Sequence, residues 1–139
     1  MNVISIPSIL QETGQITLKL NERNDSKTTW AVELECHTFS LSAKLKGQLV
    51  NNDVIFFIKE LENVEKKRVG SCQLADEWGF SITIRSIDSL GHFVVEVAIW
   101  SQGKTHGEEG RLGDSLNIAY EIEPSLLTSL LNDFKNLYK

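Results

Sequence analysis

The feature that most constrains this chain is an alternation of apolar with small polar or charged residues, repeated in at least five runs. A period of two is typical of antiparallel β-strands that bury one face of a sheet. The apolar members of the clearest runs are Trp30, Val32 and Leu34; Phe39, Leu41, Ala43 and Leu45; Phe80, Ile82 and Ile84; Phe93, Val95, Val97 and Ile99; and Leu116, Ile118, Tyr120 and Ile122. Residues 16–20 and 69–74 add weaker runs. The alternation predicts an antiparallel sheet, but it identifies no reaction chemistry.

Two segments have helical periodicity instead. The first follows Asn51 and Asn52, either of which can cap a helix, and the second is expected to begin at Pro124. The predicted buried stripes are Val54, Phe57, Ile58 and Leu61 in the first, and Leu127, Leu130, Leu131, Phe134 and Tyr138 in the second. Because both stripes need apolar cover, we expect the helices to pack on the sheet. The predicted fold is α+β: a curved antiparallel β-sheet of about six to seven strands with two α-helices on its apolar face.

Length and composition favour one domain across residues 1–139, since 41% hydrophobic residues can supply a core. The longest nearly apolar stretch, residues 54–58, is far shorter than the roughly 20 residues of a membrane span, and the first ten residues lack the basic start of a signal peptide. Cys36 and Cys72 have neither metal-site nor redox-motif spacing, and we interpret them as buried free thiols. We expect a cytoplasmic protein with no membrane association.

The net charge of −5 is unevenly distributed along the chain. Residues 1–70 contain 9 acidic and 9 basic side chains, whereas residues 71–139 contain 10 acidic and 5 basic ones. An acidic surface favours encounters with basic partners and disfavours nucleic acid, although it also simply keeps a protein in solution. The sequence therefore predicts a basic protein partner and no nucleic-acid partner.

The alternation also predicts which residues face away from the core. Most are small and polar, but Trp100 is a large aromatic side chain on that face, and Glu96 and Glu121 are acidic. Residues 101–115 are predicted to form a glycine-rich loop of mixed charge, which includes Glu108, Glu109 and Asp114. Aromatic anchors with polar surroundings are typical of binding surfaces, and long loops are often functional. The candidate partner-binding residues are thus Glu96, Trp100, Glu108, Glu109, Asp114 and Glu121.

Catalytic and cofactor motifs are weak. Gly103-Lys104-Thr105 resembles the end of a phosphate-binding loop, but Ala98 stands where the upstream glycine is required. Cys36 and His37 are adjacent in a strand, so their side chains point to opposite faces and cannot pair as a nucleophile and its base. The three histidines have no metal-ligand spacing. We expect no enzymatic activity, no cofactor and no metal.

From Trp30 onward, the order of elements resembles the WapI family of bacterial immunity proteins. The matching segments are Trp30-Ala31-Val32-Glu33-Leu34, the helix over 56–61, Glu77-Trp78-Gly79-Phe80-Ser81-Ile82, Leu90-Gly91-His92-Phe93-Val94-Val95, and the closing segment from Leu116 to Leu126 with the leucine-rich helix after it. The resemblance covers about four-fifths of the chain, residues 30–139, and consists mainly of packing and turn positions.

The resemblance implies a cytoplasmic protein that binds and neutralises a toxin domain without turnover. Two alternatives remain open at this point. One is a module that holds a small apolar ligand in a cavity between sheet and helices, and the other is a structural subunit that associates with itself. The apolar face offers only Tyr120 as a polar handle, which favours a packed core over a site for a polar ligand.

Overall fold

The computed structural model describes residues 2–9, 14–38, 40–76, 79–100 and 115–139, without the side chain of Glu22. Phe39, Trp78 and residues 101–114 of the loop predicted over 101–115 lie outside the described residues, while Ser115 is the first residue of β8. The elements in chain order are β1 (Asn2–Pro7), β2 (Gly14–Arg23), β3 (Thr29–Thr38), β4 (Ser42–Val50), α1 (Asn51–Lys67), β5 (Ser71–Asp76), β6 (Phe80–Ser86), β7 (Phe93–Trp100), β8 (Ser115–Ile122) and α2 (Leu126–Asn136).

The fold is α+β and its strands are antiparallel, as predicted, but the strands form two sheets instead of one. Strands β1 to β4 form the first sheet and β5 to β8 the second, each in sequence order. The prediction of one sheet with six to seven strands was wrong because alternation indicates which face of a strand is buried and not which strands pair. Strand β1 was also missed, since only Ile4 and Ile6 alternate in it and Pro7 ends it.

One apolar core joins both sheets and both helices. The inward residues of β3, β6 and β7 are those that the alternation predicts, and each is buried except for the half-buried Ile99. Between the helices, Phe57 and Phe134 pack edge to face with ring centroids 5.0 Å apart. Such aromatic pairs add attraction beyond the burial of their area. This pair packs the two helices against each other.

Most residues of the predicted helix stripes are buried, although Ile58 and Tyr138 are only partly so and Tyr138 lies beyond the end of α2. The predicted cap of α1 was wrong. Val50 occupies the capping position and makes no side-chain hydrogen bond to the helix. Asn51 lies inside the helix, where its Oδ1 accepts hydrogen bonds from Trp30 Nε1 at 3.0 Å and from the Tyr138 hydroxyl at 2.6 Å. The asparagine thus links β3, α1 and the end of the chain. In the second helix, Pro124 precedes the first helical residue instead of occupying it.

The two halves of the chain have the same topology, four consecutive antiparallel strands followed by a helix. Their buried helix positions correspond at a spacing of 73 residues, and the pairs are Val54 with Leu127, Phe57 with Leu130, Leu61 with Phe134, and Val64 with Leu137. Helix α1 packs against β5 of the second sheet, while α2 packs against β1 of the first. Each half is therefore completed by the helix of the other half.

The sheets also approach each other at their edges. The amide of Ile9 donates to the carbonyl of Glu121 at 2.8 Å, and the Tyr120 hydroxyl donates to the carbonyl of Ile6. At the opposite edge, the buried Asp76 carboxylate accepts the amide of Gln48 at 3.2 Å. Gly47 allows this approach, because a Cβ at that position would collide with the Asp76 carboxylate.

No helix among the described residues is long and apolar enough to cross a membrane.

Candidate protein-binding surface

The outer face of the first sheet is covered by ion pairs. Lys44 Nζ lies 2.6 Å from Glu33 and 3.6 Å from Glu35, and Lys19 Nζ lies 3.3 Å from Glu35. Hydrogen bonding by Lys44 lowers the pKa of Glu33, and hydrogen bonding by Lys19 lowers the pKa of Glu35. These charges satisfy one another within the sheet, which leaves this face close to neutral.

The outer face of the second sheet has a different character. Small side chains stand in register across it, because Ala75 pairs with Ser81, Ser81 with Ala98, and Ala98 with Asn117. They produce a shallow depression of about 350 Å³. We call its outward-facing members the platform, which comprises Gln73, Ser81, Thr83, Glu96, Ala98, Asn117 and Ala119. A flat face of small residues lets another protein approach the backbone of the sheet closely.

Two predicted acidic residues, Glu96 and Glu121, lie on this face. Glu96 accepts hydrogen bonds from Arg85 Nε at 2.8 Å and Nη2 at 2.6 Å, so part of its charge is balanced inside the sheet. Glu121 is half-buried in β8, next to Val94 in the register. No ion pair joins Glu121 to another side chain within the part of the chain that the structure describes. It is therefore the more available of the two charges.

Trp100 ends β7 on the same face as Glu96 and Ala98, as the alternation predicts. Its side chain is only half-buried, while its Nε1 is shielded from solvent and has no hydrogen-bond partner among the described residues. An external partner can therefore contact the exposed part of the indole ring, and not this N–H. Trp100 has the properties of an anchor at one end of the platform.

At the other end of the platform, an apolar corner was not identified from the sequence. Val69, Ile87 and Leu90 are 54%, 48% and 78% exposed. The amide of Ser86 donates to the carbonyl of Gly70 at 2.9 Å, which continues the β5–β6 pairing and brings Val69 opposite Ile87. The period of two that places Arg85 on the outer face also places Ile87 there. The apolar run recognised in the sequence stopped at Ile84, so Ile87 was not included in the predicted strand. Exposed apolar residues grouped in this way favour an interaction surface.

The β6–β7 turn is fixed by Asp88. Asp88 Oδ1 accepts the amide of Leu90 at 2.8 Å, and Gly91 adopts a positive φ of 89°. His92 Nδ1 lies 2.5 Å from Asp88 Oδ2. This hydrogen bond raises the pKa of His92 and lowers that of Asp88. These hydrogen bonds fix the backbone of the turn at Leu90, whose side chain is exposed.

The remaining predictions from the sequence have mixed outcomes. Glu108, Glu109 and Asp114 lie outside the described residues. Cys36 and Cys72 are buried free thiols, and burial raises the pKa of each to about 12. Such thiols are poor nucleophiles. In the ranges that the structure describes, no three His, Cys, Asp or Glu side chains are grouped to hold a metal ion.

Scans against protein-family models, curated proteins and solved structures each found no match to this chain. The resemblance to WapI-type immunity proteins thus depends on the sequence segments alone.

Proposed function

We propose that this chain is a non-enzymatic cytoplasmic protein that binds a basic protein partner through the outer face of its second sheet. The observation that carries the proposal is the contrast between the two outer faces. The first is covered by mutual Lys–Glu pairs, whereas the second combines a flat platform, an anchor at Trp100, an apolar corner and Glu121, which has no ion pair among the described residues. Apolar anchors with polar surroundings are how protein interfaces obtain affinity.

The class of partner that we propose is a bacterial toxin domain, which the chain would neutralise as an immunity protein. The acidic second half of the chain supports this class, because many toxin domains attack nucleic acids and so have basic active surfaces. Electrostatic steering speeds the encounter of such surfaces with an acidic face. Neutralisation by occlusion needs no catalytic group, and the resemblance of residues 30–139 to immunity proteins points the same way.

The first test is a pull-down from the native source with the tagged chain, at low salt and at high salt. We expect a basic protein domain that is retained at low salt and released at high salt. That domain should arrest growth when it is expressed alone and not when it is expressed together with this chain. Recovery of the chain alone, or of the chain with an apolar small molecule, would instead favour self-association or ligand carriage.

The captured partner then allows the surface to be tested by charge reversal. Glu121→Lys should slow association and flatten its salt dependence, because long-range attraction acts mainly on the association rate. Asp133→Lys is the matched control, since it makes the same change of charge at an exposed site on α2. Equal effects of Glu121→Lys and Asp133→Lys would remove the second sheet from the interface.

Trp100→Ala should weaken the binding free energy by about 2 kcal/mol, roughly thirtyfold in affinity, mainly through faster dissociation.

A further inference from the structure

A second depression, of about 480 Å³, lies between the β2–β3 turn and the end of α2. Its lining contains three cationic side chains, Arg23, Lys27 and Lys139, three asparagines and one carboxylate, Asp25. An excess of positive charge in one depression contrasts with the net charge of −5 of the whole chain. The proposed platform lies on the other sheet, so the two features are independent. We call this depression the arginine pocket.

Arg23 lies beside a pair of aromatic rings, Trp30 and Tyr138, of which Trp30 lines the arginine pocket. Its guanidinium carbon lies 5.4 Å from the centroid of the Trp30 ring and 5.2 Å from that of Tyr138. Both distances are within the range of cation–π attraction. Trp30 and Tyr138 are fixed in turn, since both donate to Oδ1 of Asn51. The guanidinium is therefore positioned before any ligand arrives.

A β-bulge brings Arg23 to these rings. Leu20 pairs with Val32, but Arg23 and not residue 22 pairs with Trp30, so β2 contains one extra residue between the two pairs. Without it, the alternation would direct Arg23 to the opposite face. Bulges of this kind redirect side chains next to binding and active sites.

The hydrogen-bonding capacity of Arg23 is not used by a carboxylate of the described chain. A guanidinium donates through N–H groups that lie in its plane, and a contact with a ring does not consume them. No ion pair joins Arg23 to a carboxylate among the side chains that the structure describes. Lys27 stands on the adjacent turn with a left-handed backbone, φ 57°, where its amide donates to the carbonyl of Asn24 at 2.8 Å. Non-glycine residues in this conformation often mark functional turns.

From these contacts we infer that the arginine pocket binds a small molecule that carries a carboxylate or phosphate group. Arg23 donates two parallel hydrogen bonds to the oxygen atoms of that group, and Lys27 and Lys139 add positive charge around it. The planar fork of arginine matches both anions, which lysine does not. The site is separate from the proposed protein-binding surface and does not depend on it.

The test is an NMR titration that follows the indole Nε1–H signal of Trp30, a residue that lines the arginine pocket. The probes are inorganic phosphate and succinate, with sodium chloride at equal ionic strength as the reference. We expect a saturable shift with at least one of the two anions and none with chloride. The anion that saturates at the lower concentration identifies whether phosphate or carboxylate is the preferred group.

Two substitutions and a control make the test specific. Arg23→Gln should weaken binding by about tenfold or more, because a charge-assisted bidentate pair is lost. Arg23→Lys retains the charge and should still weaken binding, which separates recognition by the fork from simple attraction. Lys46→Gln, at an exposed position of β4, removes one positive charge elsewhere and should leave the binding constant unchanged. No saturable shift with either anion, or equal binding by the wild type and Arg23→Gln, would overturn the inference.

Discussion

Phe56 and Phe57 are neighbours in α1 with opposite environments. Phe57 is 1% exposed and packs on Phe134, whereas Phe56 is 62% exposed. A helix turns by about 100° per residue, so two adjacent residues point in different directions, and here Phe57 faces the core while Phe56 faces the solvent. The pair offers a comparison in which chemistry is constant and only the surroundings differ.

We therefore predict that Phe57→Ala lowers the free energy of unfolding by about 3–5 kcal/mol, since it removes a buried ring and leaves a cavity. Phe56→Ala is the matched control and should change that free energy by about 0.5 kcal/mol or less. Urea denaturation followed by circular dichroism measures both. Similar losses for the two variants would contradict the placement of α1 on the core.

At the scale of elements, the success of prediction depended on what each pattern encodes. The alternation correctly divided β3, β6 and β7 into inward and outward residues, which is why Glu96 and Trp100 lie on the predicted face. It does not encode pairing, so the division into two sheets and the placement of Val69 opposite Ile87 were not accessible. The bulge at Arg23 was hidden for the same reason, because it exists only relative to β3. Asn51 was predicted to cap the helix because the two side chains that donate to its Oδ1, Trp30 and Tyr138, are distant in sequence.

The β6–β7 hairpin should respond to pH through Asp88 and His92. Hydrogen bonding to Asp88 raises the pKa of His92 above its ordinary 6.5, and the same contact lowers the pKa of Asp88 below 3.8. Stabilisation from the raised histidine pKa is complete below pH 6.5 and is lost as pH rises through the pKa of folded His92. Stabilisation from the lowered carboxyl pKa is present above pH 3.8 and is lost as pH falls through the pKa of folded Asp88. The turn is thus held best between these limits.

An NMR titration of the imidazole of His92 should give a midpoint above 6.5. Asp88→Asn should return that midpoint toward 6.5, since the hydrogen bond to the Asp88 carboxylate, the largest cause of the raised pKa, is then absent. Glu121→Gln should move it less, because Glu121 contributes only a weaker coulombic attraction. An unchanged midpoint in Asp88→Asn would show that the contact does not persist in solution.

At the scale of the whole molecule, the exchange of helices between the halves should make unfolding a single event. Helix α1 covers the second sheet and α2 the first, so opening either sheet exposes apolar surface of both halves. Shared cores of this kind favour two-state behaviour in small domains.

We predict that Leu34→Ala, at a fully buried position of the first sheet, lowers stability by about 2–5 kcal/mol. The loss should appear equally in the slowest-exchanging amides of both sheets, as measured by native-state hydrogen exchange. Ser42→Ala, at an exposed position of the same sheet, is the control and should leave both sets unchanged. Faster exchange confined to the first sheet would mean that the two halves unfold separately.

The two thiols lie one in each sheet, Cys36 in β3 and Cys72 in β5. With a pKa near 12, each is almost entirely protonated at neutral pH and reacts slowly while it remains buried. The two cysteines can therefore serve as internal probes of structural opening. The rate at which an alkylating reagent consumes each cysteine reports how often the structure around it opens, and a single unfolding event predicts the same opening rate at both.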